Sequence, residues 1–271
     1  MMTDYKDKLK RTFPGLYNYY VAVKGRRHCR KEYGTMSDSV AGTLFPNKDY
    51  RVISGPFAGM KYLNETVWGP IAPKWIGSYE GDLHPVLEEI FKRGYDKVID
   101  VGSAEGYYAA GLAYRIPNAI IYAFDIDPLS RNQTKRLAEL NGLQDRVIIG
   151  KLCEYSHFER IATGNTLVVC DIEGFEKDLL DPDACSALKR VDILVEVHEF
   201  WEPGQLGALF IKRFSGTHEI TDIRMEPKSK WLAENEASFK GMLPPEMLVY
   251  SVDEFRYDRE RNYWLWLKRK A

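Results

Sequence analysis

The stretch KVIDVGSAEGYYAAGLA, residues 97–113, decides the fold. A short β-branched run ends near Asp100, Gly102 and Gly106 bracket a tight turn, and a helix begins at about Tyr107. Glycine lets the backbone bend and a ligand approach closely. The loop amides and the helix N-terminus favour an electronegative group on that ligand. The stretch therefore predicts a strand, a ligand-binding turn and a helix in immediate succession.

The glycine spacing in this turn narrows the kind of ligand. It is not the GxGxxG of dinucleotide-binding proteins, because Ala104 holds the middle position and the last glycine arrives one residue early. That departure weakens a nicotinamide or flavin dinucleotide interpretation. A cofactor without a pyrophosphate fits the tighter turn better.

The sequence on both sides of the turn alternates between helical and strand patterns. Apolar residues recur at helical spacing in DLHPVLEEIFKRG (82–94), and AIIYAFDI, RVIIG, TLVVCDI and DILVEVH are nearly continuous apolar runs. Such alternation predicts βαβ units and a parallel sheet with both faces covered by helices. EITDIRM and NYWLWLKR look like two further strands, and NYWLWLKR reads as buried.

The chain divides into two predicted regions. Residues 1–81 form an N-terminal extension of short helices, with a candidate hairpin near Tyr50–Leu63. Residues 82–271 form the ligand-binding domain, and its polar stretch 226–260 is too long for a simple connector, which makes it a candidate lid.

Composition excludes several classes of function. Lys plus Arg is 38 and Asp plus Glu is 39, so the net charge of -1 gives no whole-chain attraction to nucleic acid or anionic lipid. The basic cluster VKGRRHCRKEY (23–33) reads first as a solvated helix face, with a phosphate-bearing partner as the alternative. No apolar run is long enough for a membrane span. Four cysteines without a CxxC pair indicate neither a disulfide framework nor a zinc site, so we expect a cytoplasmic protein.

Asp125 is the second candidate binding residue. It ends the strand after the glycine turn, and in an open parallel sheet its carboxylate would lie beside that turn, where it could accept both hydroxyls of a ribose. The alternative is a helix N-cap, but Asp127 is better placed for that role.

A third group of polar residues ends two neighbouring strands. Asp171 follows TLVVC, while His198 and Glu199 follow DILVEV, so their side chains should face one cleft. They could orient or deprotonate a substrate hydroxyl or amine. Alternatively, Asp171, Glu173 and His198 could hold a divalent cation, although we do not predict a metal. Negative charge near a helix N-terminus is the purely structural interpretation.

Other candidate substrate-binding residues lie outside the strand ends. Tyr79 and Glu80 precede the helix that enters the first strand, and Lys230 and Trp231 lie in the candidate lid. Glu199 completes this predicted substrate set.

Taken together, VIDVGSAEG, Asp125 and Asp171 resemble the class I S-adenosylmethionine-dependent methyltransferases. The FkbM-like branch is the closer resemblance, since its DxGxxxG loop and DxEGxE segment match Asp100–Gly106 and Asp171–Glu176. The resemblance covers about residues 82–200. It implies a Rossmann-like seven-stranded, mostly parallel sheet with an antiparallel last strand, flanked by helices.

The same resemblance implies the cofactor contacts. The glycine loop would hold the methionine part of S-adenosyl-L-methionine and Asp125 the ribose. The acidic residue often found near the adenine is missing, so Glu154 or a backbone amide would substitute. The expected cofactor-binding residues are Asp100, Gly102, Ser103, Ala104, Gly106, Tyr107, Asp125, Ile126, Glu154 and Asp171.

The leading functional hypothesis is an O-methyltransferase acting on a small hydroxylated metabolite or sugar-like acceptor. The acceptor's proton would be taken by Asp171 or His198, with Glu173 as the third candidate catalytic residue. An RNA methyltransferase and a non-catalytic nucleoside-binding protein are the alternatives. Nucleic acid and membrane are not favoured as partners, and a homo-oligomer is left open.

Overall fold

The computed structural model describes residues 31, 33–199, 204–255 and 261–270. Most of the basic cluster 23–33 and the end of the candidate lid, residues 256–260, lie outside the described residues. The predictions made for those segments stay predictions.

Seven strands form one sheet in the described part of the chain, in the order β3-β2-β1-β4-β5-β7-β6. The strands are β1 (Lys97–Val101), β2 (Ile120–Phe124), β3 (Val147–Gly150), β4 (Thr166–Cys170), β5 (Asp192–His198), β6 (His218–Ile223) and β7 (Asn262–Arg269). β7 is antiparallel to both β5 and β6, while β1 to β5 pair in parallel. The predicted α/β fold with an antiparallel last strand is confirmed.

Helices connect the strands and cover both faces of the sheet. They are α1 (33–44), α2 (Ala72–Ile76), α3 (His84–Arg93), α4 (Tyr107–Arg115), α5 (Pro128–Leu140), α6 (Tyr155–Ile161), α7 (Glu176–Leu179), α8 (Gln205–Phe214), α9 (Lys228–Asn235) and α10 (Pro245–Val252). None of the described helices has the length and apolar character needed to cross a membrane.

The strand order places the candidate site. β1 pairs with β2 on one side and with β4 on the other, so the chain reverses its winding direction at β1. Ligands of open α/β sheets bind outside the carboxyl ends of the strands at such a point. The loops after β1, β2, β4 and β5 meet at this edge.

Alternation along the strands divides the core between the two faces. Val98 and Leu167 belong to one apolar cluster, and Ile99 and Val168 belong to the other. By the same alternation, Asp100, Asp171, Glu196 and His198 continue the face of the first cluster. Four acidic or basic groups therefore emerge on one face where the strands end.

Residues before Asp82 take part in that first cluster. Val40, Phe57 and Trp75 are fully or almost fully buried in it together with Val98 of β1. A single antiparallel bridge joins Arg51 and Lys61 within the segment predicted to hold a hairpin. This part of the chain therefore shares its core with the sheet.

The segment between β6 and β7 contains α9, a 3-10 turn (Glu236–Phe239) and α10. Phe239, Leu248 and Val252 form a small apolar cluster with Ile76 of α2. The Trp231 ring lies against the backbone of Gly81, where an added Cβ would come within 2.9 Å of its Cδ1. The segment thus packs on the residues just before α3, and its role as a lid stays a prediction.

Candidate functional site

The glycine loop after β1 has a shape that only glycine permits at two positions. Gly102 has φ +88°, and a Cβ there would lie 1.7 Å from the carbonyl oxygen of Asp171. Gly106 has φ +94°, and a Cβ there would meet the backbone of Thr134 at 3.0 Å. The loop is therefore packed between β4 and α5, and both glycines are required for the close approach.

Asp125 holds the middle of this loop. Its Oδ2 accepts a hydrogen bond from the Ala104 N–H at 2.9 Å, and its Oδ1 accepts one from the Asp127 N–H at 2.7 Å. Ala104 adopts an uncommon positive φ of 47°. The expected position of Asp125 beside the loop is confirmed, and its role in ribose binding stays a prediction. Asp127 caps α5, since its side chain accepts from the Leu129 N–H.

The surroundings of the Asp125 carboxylate raise its pKa. Burial raises its pKa to about 6, although the N–H groups of Asp127 and Ala104 act in the opposite direction. Each carboxylate oxygen can accept more than one hydrogen bond, so Asp125 retains acceptor capacity for a ligand hydroxyl.

Asp100 is a buried carboxylate with an unsatisfied oxygen. Its Oδ2 has no hydrogen-bond partner among the described residues. Burial, and secondarily the charge of Asp125, raise the pKa of Asp100 to about 7. A buried unpaired acceptor is costly unless a donor meets it. The ammonium group of S-adenosylmethionine would supply such a donor, so the loop residues fit that cofactor.

The other predicted cofactor residues have mixed surroundings. Ser103 is buried with its Oγ 3.4 Å from Thr134 Oγ1, and Ile126 stands 54% exposed beside Asp125. Tyr107 packs edge-on against other aromatic rings, including those of Phe57 and Tyr79. Ser103 and Tyr107 are thus both buried, and Ile126 is the exposed residue of the three.

Glu154 begins α6. Its backbone N–H donates to His157 Nδ1 at 3.1 Å, and Glu154 occupies the N-cap position. This local helix-start geometry gives Glu154 a structural task, and its contact with an adenine stays a prediction.

His198 lies at the end of β5 with its imidazole held by a buried carboxylate. Its Nδ1 is 2.8 Å from Oε1 of Glu176, which is fully buried at the start of α7. The same carboxylate accepts hydrogen bonds from the N–H groups of Ile172 and Gly174. Glu176 therefore fixes both the imidazole and the loop after β4.

Other carboxylates surround the second nitrogen of this imidazole. His198 Nε2 lies 3.5 Å from Glu173 Oε2, 3.6 Å from Glu196 Oε2 and 3.7 Å from Asp171 Oδ1. Burial alone would lower the pKa of His198, but the hydrogen bond to Glu176 and the charges of Glu196 and Glu173 outweigh it and raise that pKa to about 8. The structure thus brings all three predicted catalytic residues, Asp171, Glu173 and His198, together.

This cluster also has the donors of a metal site. Asp171, Glu196 and His198 each place one ligand atom within 4.8 Å of the others. One imidazole nitrogen with two carboxylate oxygens suits a divalent transition metal. The metal site considered from the sequence had Glu173 as its third ligand, whereas the structure places Glu196 in that position.

Glu199 sits beside His198 but has structural partners. It is buried, and its carboxylate accepts from the N–H groups of Leu206 and Gly207 and from the Tyr263 hydroxyl, at 2.9–3.0 Å. These bonds tie the start of α8 to β7. Glu199 therefore has a structural role in these contacts, and its role in substrate binding stays a prediction.

The remaining predicted substrate residues lie around Gly81. Glu80 is buried, adopts φ +47° and accepts a hydrogen bond from the Tyr108 hydroxyl. Tyr79 is half-buried and packs edge-on against Tyr107. The centre of the half-buried Trp231 ring lies 5.9 Å from the centre of the Phe239 ring, and exposed Lys230 pairs with Glu226, which precedes it by four residues.

Sequence reasoning missed two buried polar features of this site. Glu176 entered the sequence analysis only as the last residue of the DxEGxE segment, and the available signal for a contact was its position five residues after Asp171. Glu105, inside the glycine loop, was not considered, although it is 1% exposed and forms an ion pair with Lys74 of α2. A charged residue among small loop residues was the available signal.

A short stretch of the chain is similar in sequence to a known methyltransferase. No protein-family model matches the chain. The chain is 36% identical over 70 residues to the release factor glutamine methyltransferase of Deinococcus radiodurans, and the match spans 26% of this chain and about a quarter (25%) of that protein.

Solved structures give a broader match. The METTL16 MTase domain is 12% identical with a TM-score of 0.50, covering 86% of this chain and 78% of that one. A SAM-dependent methyltransferase from Geobacter sulfurreducens in complex with S-adenosyl-L-homocysteine is 16% identical with a TM-score of 0.42, covering 69% and 89%. With its strand order, the chain has the Rossmann-like fold of S-adenosylmethionine-dependent methyltransferases.

Proposed function

We propose that this protein is an S-adenosylmethionine-dependent methyltransferase of the FkbM-like kind that methylates a hydroxyl of a small metabolite or sugar-like acceptor. The observation that carries the proposal is the position of Asp171. Its backbone carbonyl packs against Gly102 of the glycine loop, and its Oδ1 lies 3.7 Å from His198 Nε2. A cofactor cradle and a basic imidazole therefore meet at one residue.

The cofactor half of the site would be held by this chain's own groups. Bound S-adenosylmethionine supplies an electrophilic methyl group on its sulfonium. Asp125 would accept hydrogen bonds from the ribose hydroxyls. Asp100 would accept a hydrogen bond from the ammonium group through its Oδ2, which has no donor among the described residues. The loop fixes these groups relative to the end of β4, and such fixed geometry is the main requirement of an in-line displacement.

The acceptor half would supply the base. His198 Nε2 would take the proton of the acceptor hydroxyl while the oxygen forms its bond to the methyl carbon and the bond from sulfur to that carbon breaks. Glu176 keeps the proton on Nδ1 and orients the ring, as the carboxylate of a catalytic triad does. Because the pKa of His198 is raised to about 8, the basic form increases as the pH rises toward and above that value.

Two measurements on the full chain test this proposal. Calorimetry with S-adenosylhomocysteine should show saturable binding, and label should pass from methyl-labelled S-adenosylmethionine to a hydroxyl in a panel of phenols, catechols and sugars. His198→Gln should keep S-adenosylhomocysteine binding and lose transfer by about 100-fold or more.

A matched control is His218→Gln. His218, at the start of β6, is another buried imidazole, and its Nε2 is hydrogen-bonded to the Val191 carbonyl. This variant should keep both binding and transfer. Absence of S-adenosylhomocysteine binding would refute the cofactor assignment. Full transfer by His198→Gln would refute the base, and label appearing only in added RNA would favour the RNA methyltransferase alternative.

A further inference from the structure

The glycine loop is held by residues of the segment before the sheet as well as by the sheet and α5. Asp125 and Thr134 hold Ala104 from the sheet and from α5, through the Ala104 N–H and carbonyl respectively. The Glu105 side chain is buried and extends to residues 62–74, which precede the sheet in sequence. The loop is thus fixed on one side by the Rossmann-like fold and on the other by the segment before it.

The contacts of Glu105 are numerous and mostly polar. Its carboxylate accepts from the Thr66 hydroxyl at 3.0 Å, from the Tyr62 hydroxyl at 3.3 Å and from the Val67 N–H at 3.4 Å, and it pairs with the Lys74 ammonium group. Lys74 is 3% exposed. The two charges are therefore removed from water together and satisfied by the same short segment.

Lys74 in turn organises that segment. Its ammonium group also donates to the Thr66 hydroxyl at 3.2 Å and to the Trp68 carbonyl at 3.1 Å, and it lies 4.8 Å from the centre of the Tyr79 ring. One ammonium group therefore connects the glycine loop, the turn around Trp68 and a predicted substrate-binding residue.

An ion pair this deeply buried is an inefficient source of stability. Desolvation of the two charges cancels much of their attraction, and apolar residues of similar size can replace such a pair without loss of stability. What the pair does supply is a fixed geometry, because any arrangement that separates the two charges leaves each of them buried without its counter-charge. A binding site is precise only when the groups behind it are themselves locked.

We propose that Glu105 and Lys74 are positioning residues, which hold the glycine loop in the conformation that binds the methionine part of the cofactor. The inference rests on the proposed function. If Glu105 and Lys74 have this role, residues 62–74 contribute to cofactor binding through the glycine loop.

The test is the double variant Lys74→Met/Glu105→Leu, which removes both charges at similar volume. Calorimetry should show that the dissociation constant for S-adenosylhomocysteine rises by about tenfold. Affinity for adenosine, which lacks the methionine part, should change by less than about twofold. A purely structural role would change both affinities together or neither.

The control is Asp192→Asn, which weakens the ion pair between buried Asp192, at the amino end of β5, and solvent-exposed Arg93. It should keep wild-type affinity for both ligands. If the double variant does not fold, Glu105→Asp takes its place, because it keeps the charge but draws the carboxylate back from its partners; it should show the same selective loss.

The outcomes separate the two proposals. A wild-type protein that binds neither S-adenosylhomocysteine nor adenosine refutes the proposed function. If the wild type binds both, a folded Lys74→Met/Glu105→Leu or Glu105→Asp protein with unchanged S-adenosylhomocysteine affinity overturns the positioning role. An equal loss of affinity for adenosine overturns it as well.

Discussion

Gly102→Ala is the perturbation whose effect the structure specifies most directly. The added Cβ would lie 1.7 Å from the carbonyl oxygen of Asp171, whereas real Cβ atoms essentially never come within 3.0 Å of such an atom. Either the loop or the end of β4 must therefore move by about 1.3 Å, since interiors are close-packed and yield little. Both carry groups of the candidate site.

Two costs follow from that displacement. Positive φ costs an alanine roughly 1–2 kcal/mol, and forced overpacking costs about 1–3 kcal/mol more, so the free energy of unfolding should fall by about 2–5 kcal/mol. A shift near 1 Å between reacting groups lowers turnover by about 100-fold. We expect S-adenosylhomocysteine affinity to fall by at least about tenfold.

Urea unfolding and calorimetry measure the two effects, and Gly142→Ala is the matched control. Gly142 also has a positive φ, +67°, but an added Cβ there would have no neighbour within 4 Å. It should lose only the roughly 1–2 kcal/mol of backbone strain and keep its affinity. Equal stability and equal S-adenosylhomocysteine binding in the two alanine variants would refute the close-approach argument.

Three further predictions concern titratable groups. The rate of methyl transfer should rise with pH through about 8, where His198 loses its proton. Glu176→Gln should move the midpoint of this pH profile to lower pH, because the change removes a negative partner of the imidazole. An unchanged midpoint would contradict the pairing of His198 with Glu176. Asp125→Asn should weaken S-adenosylhomocysteine and adenosine alike, by about tenfold in calorimetry. Burial raises the pKa of Asp100 from 3.8 to about 7, so the unfolded chain releases this proton first and the free energy of unfolding falls as the pH rises between those two values, then stays lowered above pH 7. Asp100→Asn should therefore raise the free energy of unfolding at pH 8 but not at pH 3, as measured by urea unfolding, and it should weaken S-adenosylhomocysteine binding.

The sheet was predictable because its signals are local. Continuous apolar runs and helical spacing identify each element from its own residues, and the ends of parallel strands meet at one edge whatever the helices contain. For that reason Asp125 could be placed beside the glycine loop, and Asp171 near His198, from the sequence alone.

The rest depends on contacts between distant segments. Glu105 and Lys74 are 31 residues apart, and no periodic pattern connects them. The burial of Glu199 follows from the way β7 and the start of α8 converge on it, which a strand pattern does not encode. Tyr107 begins the predicted helix, but its ring joins an aromatic cluster built from residues before the sheet. Such side-chain directions are decided by tertiary packing.

The position of β7 has a consequence for biosynthesis. Among the described strands β6 pairs only with β7, and β7 also covers the edge of β5, so neither strand has this partner until residues 262–269 have left the ribosome. A nascent chain that stalls before that point would present the open edge of β5 to other chains, and unpaired strand edges promote aggregation. Insertion of β7 between β5 and β6 thus joins two strands that were made before it.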